Sequence, residues 1–128
     1  MTTRFGLATV ALAVAVLTGC GDLSADEVED LATTFARADD DPGTRCELLA
    51  STTLAAVQQD GPCDDVLAEL PLGSGDVTAI EVWGEEAQVK LSDDTLFLTR
   101  TSDGWRVSAA ACTPQGADLP YDCDVEAS

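Results

Sequence analysis

Residues 77–112 alternate apolar and polar side chains in four short blocks, a pattern that suits an antiparallel sheet with one buried face. The blocks run 77–83, 86–92, 95–102 and 105–112, separated by Gly84-Glu85, Asp93-Asp94 and Asp103-Gly104. Each separator suits a two-residue hairpin loop, for which Asp-Gly and Gly-X are favoured. In this register Ile80, Val82, Ala87, Val89, Leu91, Leu96, Leu98, Val107, Ala109 and Ala111 share one face. Glu81, Trp83, Gln88, Lys90, Phe97, Thr99, Thr101, Arg106 and Ser108 take the other. A slip of one residue would mix the two sets, so the alternation specifies register as well as element type.

The cover for the apolar face is encoded upstream. Ser24-Ala25-Asp26-Glu27 has the form of a capping box, and Val28, Leu31, Ala32, Phe35 and Ala36 follow at helical spacing. The spacing predicts a helix from 24 to about 38, ended by Asp39-Asp40-Asp41-Pro42-Gly43. Thr44 and Glu47 form a second box, predicting a helix through Cys46, Leu49 and Ala50, with Ser51 capping a continuation through Leu54, Ala55 and Val57. Gly61-Pro62 interrupts the chain before a third helix with Cys63, Val66, Leu67 and Leu70 on one side. Leu72-Gly73-Ser74-Gly75 marks the change from helix to sheet. Residues 113–128, with Pro114, Gly116, Pro120 and four acids, read as an irregular acidic tail. The fold class is therefore α+β: two or three N-terminal helices packed on a four-stranded antiparallel meander, with residues 24–112 as the domain.

Ahead of this domain lies a segment of another kind. Arg4 precedes Phe5 to Leu17, an apolar run without a charge. A helix of that length covers about 20 Å at 1.5 Å per residue, short of a hydrocarbon core of roughly 30 Å. It fits a secretory signal peptide better than a spanning helix. Leu17-Thr18-Gly19-Cys20 follows at once and resembles the lipobox of bacterial lipoproteins. That resemblance implies cleavage of residues 1–19 and acylation of the Cys20 thiol, with residues 20–23 as anchor and short linker. Two or three acyl chains hold far more firmly than one, since each buried methylene contributes about 0.8 kcal/mol. The expected location is the cell membrane, with the domain facing its extracytoplasmic side.

The remaining composition bears on partners. Loss of Arg4 with the leader leaves five basic residues (Arg37, Arg45, Lys90, Arg100, Arg106) against 24 acidic ones, a formal net of −19. Such a chain is repelled by nucleic acid, so that partner is not expected. Four cysteines besides Cys20 suit an exported domain with two disulfides. They allow three connectivities, of which Cys46–Cys63 with Cys112–Cys123 keeps each pair within one local stretch. A four-cysteine zinc site is disfavoured, because no C-x-x-C pair is present.

No histidine occurs anywhere, which removes imidazole ligands and the Ser-His and Cys-His nucleophile systems. No catalytic residues, cofactor or metal are assigned. Asp39-Asp40-Asp41 fails the EF-hand pattern, which needs Gly at the sixth position and Glu at the twelfth, where Thr44 and Ala50 stand. Helices followed by a meander ending in Leu96-Phe97-Leu98-Thr99-Arg100-Thr101-Ser102-Asp103-Gly104-Trp105-Arg106-Val107 resembles the NTF2-like (cystatin-like) α+β roll. The mature chain is also similar to small actinobacterial envelope lipoproteins. The roll implies a cone-shaped cavity, used in some members for ligands or catalysis, often with an Asp–His pair that is missing here. Trp83, Lys90, Phe97 and Arg106 are candidates for a surface contact patch for an acidic or aromatic partner, such as an envelope protein, unless the tail buries Trp83. Alternatively, Lys90 and Arg106 only relieve a very negative surface. Arg100 and Trp105, on the core-facing side, are the candidate cavity residues: Arg100 either snorkels outward or points into a cavity to orient an anion, and Trp105 suits core packing better than a ligand cage. A non-catalytic binding module is the favoured reading; a cavity enzyme working through carboxylates is the alternative.

Overall fold

The computed structural model describes residues 21–128; the signal-peptide reading of residues 1–19 and the lipidation reading of Cys20 lie outside them. The chain is α+β, with helices α1 (Gly21–Arg37), α2 (Pro42–Glu47), α3 (Ser51–Val57) and α4 (Cys63–Ala68) preceding all the strands. The strands are β1 (Val77–Trp83), β2 (Glu86–Leu91), β3 (Thr95–Thr101), β4 (Gly104–Thr113) and β5 (Asp122–Glu126). They form one antiparallel sheet in chain order, β1-β2-β3-β4-β5.

α1 lays Val28, Ala32 and Phe35, all fully buried, against β1, β2 and β4. They recur at helical spacing, as an amphipathic stripe requires. The helix does not begin at the Ser24 capping box. Ser24 already lies inside α1, and its hydroxyl accepts from Arg100 Nη2 at 2.6 Å.

Thr44 is not a cap either. Asp41 takes that role, accepting from the Thr44 amide at 3.2 Å and from its hydroxyl at 2.8 Å, with Pro42 opening the helix. The long second helix is also interrupted. Leu48 to Ala50 leave the helix and bond to β4: the Val107 amide donates to the Leu48 carbonyl, and the Ala50 amide to the Val107 carbonyl, both at 2.8 Å. The first half of β4 otherwise has an open edge there, since β5 pairs only with residues 109–113. A loop that satisfies this edge replaces helix, because buried backbone groups need partners. Ser51 is then the first residue of α3 rather than its cap. A disulfide between Cys46 and Cys63 joins α2 to α4, and a second joins Cys112 to Cys123 across β4 and β5.

The sheet has five strands where four were expected, because the tail supplies β5. Val125 is fully buried in the main core, so residues 122–126 gain apolar burial as well as ladder bonds. The inner face is filled by Ala87, Val89, Leu91, Leu96, Leu98 and Val107, as the alternation predicts. The pattern fails at the end of β4. Leu98 pairs with Val107 but Phe97 pairs with Ala109, so Ser108 is an extra residue in a bulge. Ala110, not Ala109, therefore enters the main core, while Ala109 joins a smaller cluster with Cys112, Cys123, Phe97 and Tyr121. Ala111 has φ 52°, in the left-handed region, and breaks the alternation again. Thr53, fully buried on α3, donates to the Ser108 carbonyl at 2.9 Å and so satisfies the bulge.

Candidate functional site

The four residues of the candidate contact patch occupy three different cross-strand rows. Trp83 pairs with Glu86, Glu86 with Thr99 and Thr99 with Arg106, which puts Trp83 and Arg106 at opposite ends of one row. Three strand spacings separate them, about 14 Å. Phe97 belongs to the row of Glu81, Gln88 and Ala109, and Lys90 to that of Ala79 and Thr95. The tail also crosses this face. Tyr121 stacks edge-on against Phe97 with centroids 5.2 Å apart, and its hydroxyl accepts from Gln88 Nε2 at 3.1 Å. Phe97 is thus half-buried under Tyr121, while Trp83 stays 53% exposed on edge strand β1. Arg106 is half-buried and donates to the Trp105 carbonyl at 2.7 Å.

Arg100 and Trp105 pair across β3 and β4 at the end of the sheet nearest the start of α1. The Arg100 guanidinium lies 5.1 Å from the Trp105 ring centroid and reaches Ser24, as described above. Arg100 is exposed, whereas Trp105 is packed into the main core at 3% exposure, so this pair caps the core rather than facing a chamber. The indole Nε1 of Trp105 is buried without a hydrogen-bond partner among the described residues.

The most highly connected polar centre involves none of these residues. Asp93 and Asp94, in the β2–β3 connection, lie against the Gly73-Ser74-Gly75 segment that links α4 to β1. Asp94 accepts four backbone amides: Thr95 (2.7 Å) and Cys112 (3.0 Å) on Oδ1, Gly73 (3.1 Å) and Ala111 (3.0 Å) on Oδ2. Asp93 accepts the amides of Ser74 at 3.1 Å and Gly75 at 2.8 Å. The approach requires glycine. A Cβ on Gly73 would run into Asp94 Cβ and lie 2.9 Å from Asp93 Oδ1, and one on Gly75 would meet Ser92 Oγ.

Arg45 completes the centre from the other side. Only 5% exposed, it donates from Nε to the Phe35 carbonyl at 2.9 Å and from Nη2 to those of Ala36 (3.2 Å) and Gly73 (2.9 Å). It thereby satisfies carbonyls at the C-terminal end of α1, where a cation is favoured, and lies 5.1 Å from the Phe35 ring centroid. Burial pushes the guanidinium pKa down, and the charges of Asp39, Asp94 and Asp93 oppose that shift. The Asp93 carboxyl is held below the usual carboxylate range, chiefly by the Ser74 amide and then by that of Gly75. Asp41 is held down in the same sense by the Thr44 hydroxyl and amide.

Chemically this centre is occupied with its own backbone. A carboxylate offers about four lone-pair sites, and the four amides on Asp94 use that capacity. Among the described residues, no group of three or more His, Cys, Asp or Glu side chains is placed to hold a metal ion. The clefts among the described residues are mixed in lining. One of about 320 Å³ between α3, α4 and β5 is lined by Val57, Val66 and Leu70 together with Asp60, Asp124 and Glu126. No protein-family model, curated protein or solved structure matches the chain.

Sequence reading missed Arg45, Thr53 and the Asp93–Asp94 centre. The available signal was a Gly-Ser-Gly segment and an Asp-Asp hairpin in one chain, but only the tertiary fold brings them together.

Proposed function

We propose that the chain is a bacterial-type lipoprotein, anchored through acylated Cys20 on the extracytoplasmic side of the cell membrane, whose domain is a non-catalytic binding module. The observation that carries this reading is the register of Arg4, the apolar run and Leu17-Thr18-Gly19-Cys20, ending one residue before α1 begins. Pairing of all four other cysteines in disulfides accords with an oxidising compartment. The absence of histidine from the sequence supports a non-catalytic role, as does the engagement of Asp93 and Asp94 with backbone amides. The NTF2-like assignment belongs to the same proposal. Helices on one face of an antiparallel meander support it, while the fifth strand and the filled inner face depart from the cavity-bearing form.

Intact-mass measurement of envelope-derived protein tests the anchor. The expected mass begins at Cys20 and includes acyl chains, and Cys20→Ser should release the domain from membranes. A full-length unmodified chain, or a Cys20→Ser form still held on the cell, refutes it. Affinity purification of the acylated protein should then recover an envelope protein or small ligand; turnover by the purified domain that survives loss of every partner would contradict the binding role.

A further inference from the structure

We infer that the domain does not float above its anchor but rests on the same bilayer, touching the lipid interface with Leu23 and Trp83. The inference depends on the acylation of Cys20 proposed above. α1 is helical from Gly21, the next residue in the chain, and one peptide link spans only about 3.8 Å between Cα atoms. The same helix is locked into the core by fully buried Val28, Ala32 and Phe35. The helix that packs into the core thus begins at the residue after the proposed lipid anchor, which keeps the domain close to it.

Arg100 identifies what else lies at that end. Its guanidinium donates to Ser24 on α1, while its backbone amide donates to the Glu85 carbonyl at 2.7 Å. The β1–β2 turn, entered through Trp83, is thereby held beside the start of α1. Three large hydrophobic side chains are exposed among the described residues, Leu23 (74%), Trp83 (53%) and Leu119 (59%), and two of them share this end. An exposed Leu and an exposed Trp cost nothing once they enter the headgroup boundary, where indole rings are enriched.

Charge selects the kind of lipid. Arg100 is already engaged by Ser24 and Trp105, and exposed carboxylates stand at this end: Glu85 and Asp103 on turns and Glu86 at the start of β2. With a net charge of −19 behind them, these carboxylates oppose an anionic surface. The contact fits a zwitterionic interface and is apolar in origin.

Tryptophan fluorescence tests this on mature acylated protein, checked by intact mass, in phosphatidylcholine vesicles with or without chains brominated near the headgroup. Trp105 is buried, so subtracting the signal of the Trp83→Phe form isolates Trp83. Membrane-bound Trp83 should shift to the blue, be quenched by brominated lipid and lose acrylamide quenching relative to the soluble Cys20→Ser form. Leu23→Glu should restore acrylamide access, and exchanging half the phosphatidylcholine for phosphatidylglycerol should weaken the contact. An acylated protein that sediments with vesicles while Trp83 stays as open to acrylamide as in buffer overturns the inference and leaves the anchor standing. Stronger contact on phosphatidylglycerol overturns its apolar basis. A protein recovered without acyl mass removes the anchor, and this inference with it.

Discussion

Replacing Asp94 by alanine should be the most damaging single surface-loop substitution in this protein. The carboxylate joins three segments that are distant in sequence: the α4–β1 link through Gly73, its own hairpin through Thr95, and β4 through Ala111 and Cys112. All four donor residues are buried, so water cannot readily replace the lost acceptor. A buried donor left without a partner costs about 1–3 kcal/mol, and hydrogen bonds to a charged group are stronger than average. Asp94 is itself half-buried, so some water will enter; counting two amides as effectively orphaned gives a loss of about 4 kcal/mol. Against a total of about 5–15 kcal/mol for a domain, that is a large fraction, and it should lower Tm by roughly 15 °C or more. Asp93→Ala is the control. Its two amides lie at an exposed position, and water can take them over at a cost of about 1 kcal/mol or less. Urea unfolding of the oxidised protein, followed by far-ultraviolet circular dichroism, reads both values. Equal losses for the two variants would refute the role of Asp94 in joining these three segments.

Two further outcomes follow from the same centre. Gly73→Ala should destabilise by about 1–3 kcal/mol through overpacking against Asp94. Gly43→Ala, where a new Cβ would lie 3.4 Å from Asp41 Oδ1, should be neutral or slightly stabilising, and thermal unfolding of the pair distinguishes them. Asp41 and Asp93 both have folded pKa values below their unfolded ones, so their stabilisation is present above the unfolded value of about 3.9 and is lost as pH falls through the folded values. Protonation also relieves repulsion in so acidic a chain, an effect that largely cancels between variants. Asp41→Ala/Asp93→Asn should therefore lose less stability than the native protein between about pH 5 and pH 3, measured by urea midpoint at each pH; an unchanged slope would mean these hydrogen bonds do not persist in solution.

Legibility in the sequence tracked how local the causal interaction was. The alternation in β2, β3 and β1 from Ile80 onward announced both strands and faces, because side-chain direction along a strand is a property of neighbouring residues; an irregularity between Val77 and Ala79 breaks it at the start of β1. It failed after Ser108, where a bulge stabilised by Thr53 shifts Ala110 inward, and no local signal marks a bulge whose partner lies on a helix. The capping boxes at Ser24 and Thr44 had the right composition but the wrong place. Ser24 is taken by Arg100, 76 residues away along the chain, and Thr44 is preceded by a better cap in Asp41. Of the candidate contact residues, Trp83 and Lys90 stand exposed but in different rows, while Phe97 is covered because the tail folds back and lays Tyr121 over it.

By itself the sequence determined the α+β class, the order of helices before strands and the residues that fill the inner face of the sheet. These follow from side-chain periodicity and local backbone preference, which act over a few residues. Only the tertiary structure decided the fifth strand, the break between α2 and α3, and the use of Arg45 and Asp94 as buried hubs. Each of these answers an unpaired backbone group, an open edge or an orphaned amide or carbonyl, that exists only once distant segments have packed together.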